Sequence, residues 1–238
     1  EIHSGDWSSD VCSSDLDRFR GLVLAQQSPG VQVGLFHEGA LNSPLLDVQN
    51  TRYFMTRDPV DPRLLAPGKL VLDKYVGEIY VYRNTTALPR AWISDALTFS
   101  GNEQVYRELA RTGGSSLHDA VPVVVPGLAA GREGARVASS RAPVEIVERG
   151  PHRLVLKTPP AARGLLVVSE LYYPGWQAYV DGARVDTLKA ALMLRGVMLE
   201  GGQHTVEFRF EPASVRAGMA VSLASAALLI LYVAALLL

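Results

Sequence analysis

The stretch Ala217 to Leu238, AGMAVSLASAALLILYVAALLL, contains no charge and is almost wholly apolar. As a helix it would be about 33 Å long, enough to cross a hydrocarbon core of roughly 30 Å. Core helices of globular proteins seldom stay apolar on every face for so long, so a transmembrane helix over 216–238 is expected. Whatever folds before it must then sit beside a bilayer.

Immediately upstream, Leu165 to Phe210 reads as a compact antiparallel sheet. Runs of aliphatic and aromatic residues are separated by Pro174-Gly175, Asp181-Gly182 and Gly201-Gly202, where glycine permits tight reversal. Tyr179-Val180 before Asp181-Gly182 and Ala183 to Val185 after it predict a two-residue hairpin. From His204 to Phe210 the alternation is strict: Val206, Phe208 and Phe210 on one face, Thr205, Glu207 and Arg209 on the other. Such a strand has one wet face, as in an antiparallel sheet.

The rest of the chain is also strand-rich. The pattern predicts a helix end over Arg18 to Gln27 and a strand over Val31 to Phe36. Ser43 before Pro44 places an N-cap and a first-turn proline at a brief helix over Leu45 to Gln49. Strands are expected at Arg52 to Met55, Leu70 to Tyr75 and Glu78 to Arg83, with a proline-rich loop over Asp58 to Pro67 and an extended piece at Pro89 to Ile93. Ser100 and Glu103 have the spacing of a capping box, which puts a helix over Gly101 to Arg111, closed by Gly113-Gly114. Strands at Val121 to Val125, Val144 to Glu148 and Arg153 to Lys157 complete the pattern.

These elements imply a mainly β fold: an antiparallel β-sandwich or jelly-roll-like region with a few short helices, followed by one transmembrane helix. The expected division is an N-terminal α+β lobe over 17–112, a loop-rich connection over 113–142 and a C-terminal antiparallel β domain over 143–212. Residues Asp6 to Leu16, DWSSDVCSSDL, resemble a translated sequencing adapter, so 1–16 is set aside as an artefact together with the single cysteine, Cys12. Asp17 is then a break inside a longer protein.

Charge narrows the function. Lys and Arg total 23 against 24 Asp and Glu, and the basic residues are interspersed with acidic ones, so no nucleic-acid partner is expected. His37, His118, His152 and His204 are isolated in sequence and lack zinc-ligand spacing, and no phosphate-binding glycine loop occurs; no metal or cofactor is expected. Glu170, Asp181, Asp186 and Glu207 could approach one another in a folded sheet, yet Asp181 already has a turn role, and no catalytic residue is assigned. Tyr172, Tyr173, Trp176 and Tyr179 have two readings: packing within the sheet, or contact with a sugar or with the membrane interface.

Four motifs carry a family resemblance: LLDVQNTRYFMT at Leu45 to Thr56, VYRNTTALPRAWI at Val81 to Ile93, LYYPGWQAYVDG at Leu171 to Gly182 and GQHTVEFRFEPASVRAG at Gly202 to Gly218. In this order they are similar to the C-terminal part of bacterial YfhO-family membrane proteins. The resemblance implies a polytopic protein of the bacterial cytoplasmic membrane, related to GT-C glycosyltransferases that use lipid-linked sugars to glycosylate cell-envelope polymers. It also implies that the β region is extracytoplasmic, although Arg209 and Arg216 on the sheet side would by the positive-inside tendency place that side in the cytoplasm. The catalytic acids of such enzymes lie in early external loops, outside this sequence. The expected partners are the lipid bilayer, the N-terminal transmembrane part of the same protein, and a lipid-linked sugar or envelope glycopolymer. The alternative is a membrane-tethered, non-enzymatic carbohydrate-binding or structural module.

Overall fold

A computed structural model describes residues 41–112, 114–118, 121–124, 132–133 and 142–237. The expected helix at 18–27, the strand at 31–36, the adapter-like segment and most of the loop-rich connection over 113–142 lie outside the described residues.

Among the described residues the first α-helix is α1 (Pro44–Val48), where the Ser43 side chain accepts from the Leu45 amide at 3.3 Å and proline follows the cap. Asn50, in the left-handed region at φ 62°, turns the chain away as its helix-stopping role requires. Strands β1 (Tyr53–Thr56), β2 (Leu70–Val76) and β3 (Ile79–Asn84) form a small antiparallel sheet in the order β1-β3-β2. A 3-10 turn at Pro62–Leu64 lies within the proline-rich loop, and the Val60 amide donates to the Tyr82 hydroxyl at 3.0 Å, tying that loop to β3.

Next come β4 (Ala91–Ser94), β5 (Leu97–Ser100), helix α2 (Asn102–Thr112), a 3-10 turn at Ser115–His118 and β6 (Val121–Val124). Ser100 is the last residue of β5 rather than the helix cap. The carbonyl of Gly101 accepts the first helical bonds, from Gln104 and Val105, each at 3.1 Å. With α2 as its crossover, β6 pairs with β5 in parallel, which no hairpin could achieve. Among the described strand pairs this one is parallel and the others are antiparallel.

The remaining strands are β7 (Arg132–Glu133), β8 (Ala142–Pro143), β9 (Glu145–Arg149), β10 (Arg153–Lys157), β11 (Gly164–Leu171), β12 (Trp176–Val180), β13 (Ala183–Val185), β14 (Leu188–Ala190), β15 (Leu194–Leu199) and β16 (Thr205–Phe210). Val180 pairs with Ala183 across Asp181-Gly182, which is the expected two-residue hairpin, with both turn residues at positive φ. The expected single sheet over 165–210 is instead divided. Strands β11, β14 and β15 join an eight-stranded sheet ordered β7-β5-β6-β14-β15-β11-β4-β8, while β12, β13 and β16 join a five-stranded sheet ordered β13-β12-β16-β10-β9.

Side-chain alternation explains the division. On β11, Leu165 and Val167 enter a core roofed by α1, α2 and the 3-10 turn, with Leu45, Val105, Leu109 and Leu117. Leu166 and Val168 point the other way, into a second core shared with Leu154, Leu156, Ala178, Val206 and Phe208 of the five-stranded sheet. β11 is covered on both faces, so its apolar run is continuous. Each such side chain contributes about 1.5–3 kcal/mol on burial. The result is a β-sandwich with a helical layer on one side.

On the outer face of the five-stranded sheet, Arg153 and Arg209 both donate to Glu207. Its carboxyl is drawn down to about 2, chiefly by the Arg209 hydrogen bond. Helix α3 (Ala213–Leu237) follows after Glu211 and Pro212, starting earlier than 216 because the Pro212 carbonyl accepts from the Val215 amide at 3.2 Å. Its 23-residue segment Ala213–Ala235 is long and apolar enough to cross a membrane, and its apolar window is not buried against the described structure. The Ser225 hydroxyl donates to the Val221 carbonyl at 2.9 Å, so it is satisfied within the helix.

Candidate functional site

Two cavities lie at opposite ends of β11. One, of about 720 Å³, opens at the Gly164 end against Pro159, Arg163, Met198 and Glu200. The other, of about 530 Å³, opens at the Glu170-Leu171 end and shares Phe210 with a groove formed by Glu211, Pro212 and Val215 at the start of α3. The second is the chemically distinctive one, because three arginines from separate elements converge there on one carboxylate.

Arg195 arises on β15 among otherwise apolar neighbours. Parity with Val197 and Leu199 turns it into the space between the sheets, and its side chain is 1% exposed. Its guanidinium lies 3.8 Å from the centroid of the Trp176 ring, a cation–π contact made stronger by desolvation. Nη2 donates to Glu170 Oε2. Arg90, just before β4, and Arg149, at the end of β9, each approach Glu170 Oε1 at 3.5 Å. Burial outweighs Glu170 in setting the Arg195 pKa, which falls to about 10; the group is still cationic at neutral pH. Its Nε is buried with no acceptor among the described residues.

Aromatic rings wall the rest. Trp176 pairs in register with Phe210, and their ring centroids are 5.3 Å apart. Phe210 also meets Tyr173 and stacks on His152, both at 6.1 Å. The cavity edge is held to the membrane helix: the Glu211 amide donates to the Gly175 carbonyl at 2.6 Å, and Gly175, at φ 113°, packs so closely that a Cβ there would meet Pro212 Cα at 3.1 Å.

Of the four aromatics singled out in the sequence, Tyr173 and Trp176 line this cavity, and Tyr172 and Tyr179 do not. One step along β12 from Ala178, Tyr179 lies on the outer face, with the Arg209 guanidinium 4.6 Å from its ring centroid and its hydroxyl 3.3 Å from Glu211 Oε2. The four carboxylates do not form one centre. Glu170 joins the arginines, Glu207 pairs with Arg153 and Arg209, and Asp181 binds His204 Nδ1 at 2.7 Å, while Asp186 is exposed. Among the described residues no three His, Cys, Asp or Glu side chains are grouped to hold a metal. Sequence reasoning missed Arg90, Arg149 and Arg195; the one local cue was a lone arginine inside the apolar run Ala190 to Leu199.

The chain matches no curated protein and no solved structure. One family model does match, over the region from Val144 into the first turns of α3, whereas the motifs at 45–56 and 81–93 precede that span. Residues 144–222 match the model of the bacterial membrane protein YfhO, a span that holds the five-stranded sheet, the arginine-bearing β15 and the start of the apolar helix.

Proposed function

We propose that this chain is the extracytoplasmic β region and following membrane anchor of a polytopic protein that uses lipid-linked sugars to glycosylate cell-envelope polymers. Catalysis belongs, on this reading, to membrane helices and loops outside this sequence. The observation that carries it is the junction between sandwich and helix. Only Glu211 and Pro212 separate β16 from α3, and Gly175 grips both of them, so the β layer is held as a rigid platform at the bilayer surface. A freely tethered binding module would need a flexible linker there instead.

The test has two parts. In a Cys12→Ser background, a membrane-impermeant maleimide added to intact bacteria should label Asp73→Cys on the exposed face of β2; labelling only after permeabilisation would overturn the orientation. The purified chain should transfer no sugar from a polyprenyl-phosphate sugar donor. Transfer by this chain would place the active site within it and refute the division of labour.

A further inference from the structure

We propose that the arginine cavity at the membrane end of the sandwich binds a phosphate group. Its lining holds three guanidinium groups, from Arg90, Arg149 and Arg195, against one carboxylate, from Glu170. A carboxylate offers about four lone-pair positions and each guanidinium about five N–H donors, so Glu170 cannot satisfy the arginines around it. The contacts from Arg90 and Arg149 are 3.5 Å long, which leaves their forks open to a second oxyanion. Arg195 supplies a buried Nε without an acceptor. Phosphate presents several oxygens in a tetrahedral arrangement, which suits forks arriving from the residue before β4, from β9 and from β15.

The space exceeds what inorganic phosphate needs. A cavity of about 530 Å³ falls in the range that accepts sizeable organic ligands. Most of its remaining wall is apolar or aromatic, with Leu171 and Tyr173, 45% and 41% exposed, beside Pro151, Trp176 and Phe210; His152, stacked on Phe210, completes it. Phe210 leads into the groove against Pro212 and Val215. Two residues, Glu211 and Pro212, separate Phe210 from the start of α3, three Cα-to-Cα steps that reach at most about 11 Å. A phosphate in the arginine cradle could therefore belong to a lipid headgroup whose glycerol and acyl carbons follow this wall toward the bilayer, or to a free phosphate.

The experiment uses the full chain in a non-ionic detergent and follows tryptophan fluorescence and titration heat. Dihexanoyl phosphatidic acid should bind saturably, and dihexanoylglycerol, which lacks the phosphate, should not. Arg90→Gln combined with Arg149→Gln should weaken phosphatidic acid binding about tenfold or more. Arg107→Gln combined with Arg111→Gln on the exposed face of α2 makes the same change in net charge and should have no effect. Unfolding midpoints of both double variants should match the parent, since these arginines are all at least partly exposed. Inorganic phosphate that binds as tightly as the lipid supports the site with a free ligand; binding about tenfold weaker assigns the lipid. Equal binding of dihexanoylglycerol, or undiminished binding in the Arg90/Arg149 variant, overturns the proposal. Phosphate binding in detergent tests the cavity alone. Only the lipid arm rests on the proposed placement beside the bilayer; the maleimide experiment tests the side of the membrane independently of phosphate binding.

Discussion

Lys69 Nζ lies 2.6 Å from Asp47 Oδ1, with both side chains buried, at 4% and 8% exposure. Asn84 Nδ2 donates to the same carboxylate at 2.8 Å, and Thr86 Oγ1 accepts from Lys69 at 2.6 Å and donates to Asp47 Oδ2 at 2.9 Å. This closed network joins α1 to the ends of β2 and β3, so it orients the small sheet against the helical layer.

Removing one charge from that network strands the other in a dry site. Lys69→Met and Asp47→Leu should each destabilise the fold by about 3–5 kcal/mol. The double variant should lose less than the two single losses added together, because neither charge is then left unpaired. Urea unfolding in detergent measures all three, and additive losses would show that the two groups are not coupled.

Asp181 and His204 confer a pH dependence whose sign follows from geometry. His204 Nδ1 meets Asp181 Oδ2 at 2.7 Å and Nε2 meets the Gly201 carbonyl at 3.0 Å; only the doubly protonated ring donates to both. The Asp181 hydrogen bond raises His204 above its ordinary 6.5, and the His204 hydrogen bond, aided by the Thr205 amide, lowers Asp181 below its ordinary 3.8. The histidine's contribution is full below pH 6.5 and lost as pH rises through the raised value. The aspartate's is full above 3.8 and lost as pH falls through the lowered value. The unfolding midpoint of wild type relative to His204→Gln should therefore be greatest between these limits and shrink on the alkaline side. A difference that grows with alkalinity would contradict the assigned protonation.

Gly175 should be intolerant of a side chain for two reasons, its φ of 113° and its contact with Pro212 and Phe210. Gly182, at φ 84°, has open space where a Cβ would go. Gly182→Ala thus measures backbone strain alone, about 1–3 kcal/mol, and Gly175→Ala should exceed it while loosening the strand–helix junction. Urea unfolding and limited proteolysis near Pro212 check both effects; equal costs at the two glycines would show that the Pro212 contact contributes nothing.

Local signals in the chain were legible where physics is local. Ser43-Pro44, the Asp181-Gly182 hairpin, the alternation from Val206 to Phe210 and the apolar terminal helix all depend on near neighbours in sequence. Partition of strands between sheets does not: alternation on β12 and β16 assigns faces without naming the facing sheet. The consecutive Leu165-Leu166-Val167-Val168 is itself the mark of a strand buried on both sides, feeding two cores in turn. Ser100 and Glu103 had the spacing of a cap, but β5 claims Ser100. The arginine cavity was illegible for a stronger reason, since Arg90, Arg149, Glu170 and Arg195 meet only once both sheets are assembled.

Arg195 separates what the cavity does for the fold from what it does for a ligand. Burial lowers its pKa to about 10 despite Glu170, which means that holding the charge there costs folding free energy. The sign is that of a base whose folded value lies below its unfolded one: the cost is full at neutral pH and relieved as pH rises past about 10. Arg195→Met keeps an apolar stem between the sheets but removes the charge together with the guanidinium that stacks on Trp176, while Arg90 and Arg149 still neutralise Glu170. Its stability at neutral pH should fall within about 1 kcal/mol of the parent or above it, as for other buried charges replaced by apolar groups of similar volume. Phosphatidic acid binding should nevertheless drop about tenfold or more. A large stability loss with unchanged binding would instead identify Arg195 as a structural clamp between the sheets.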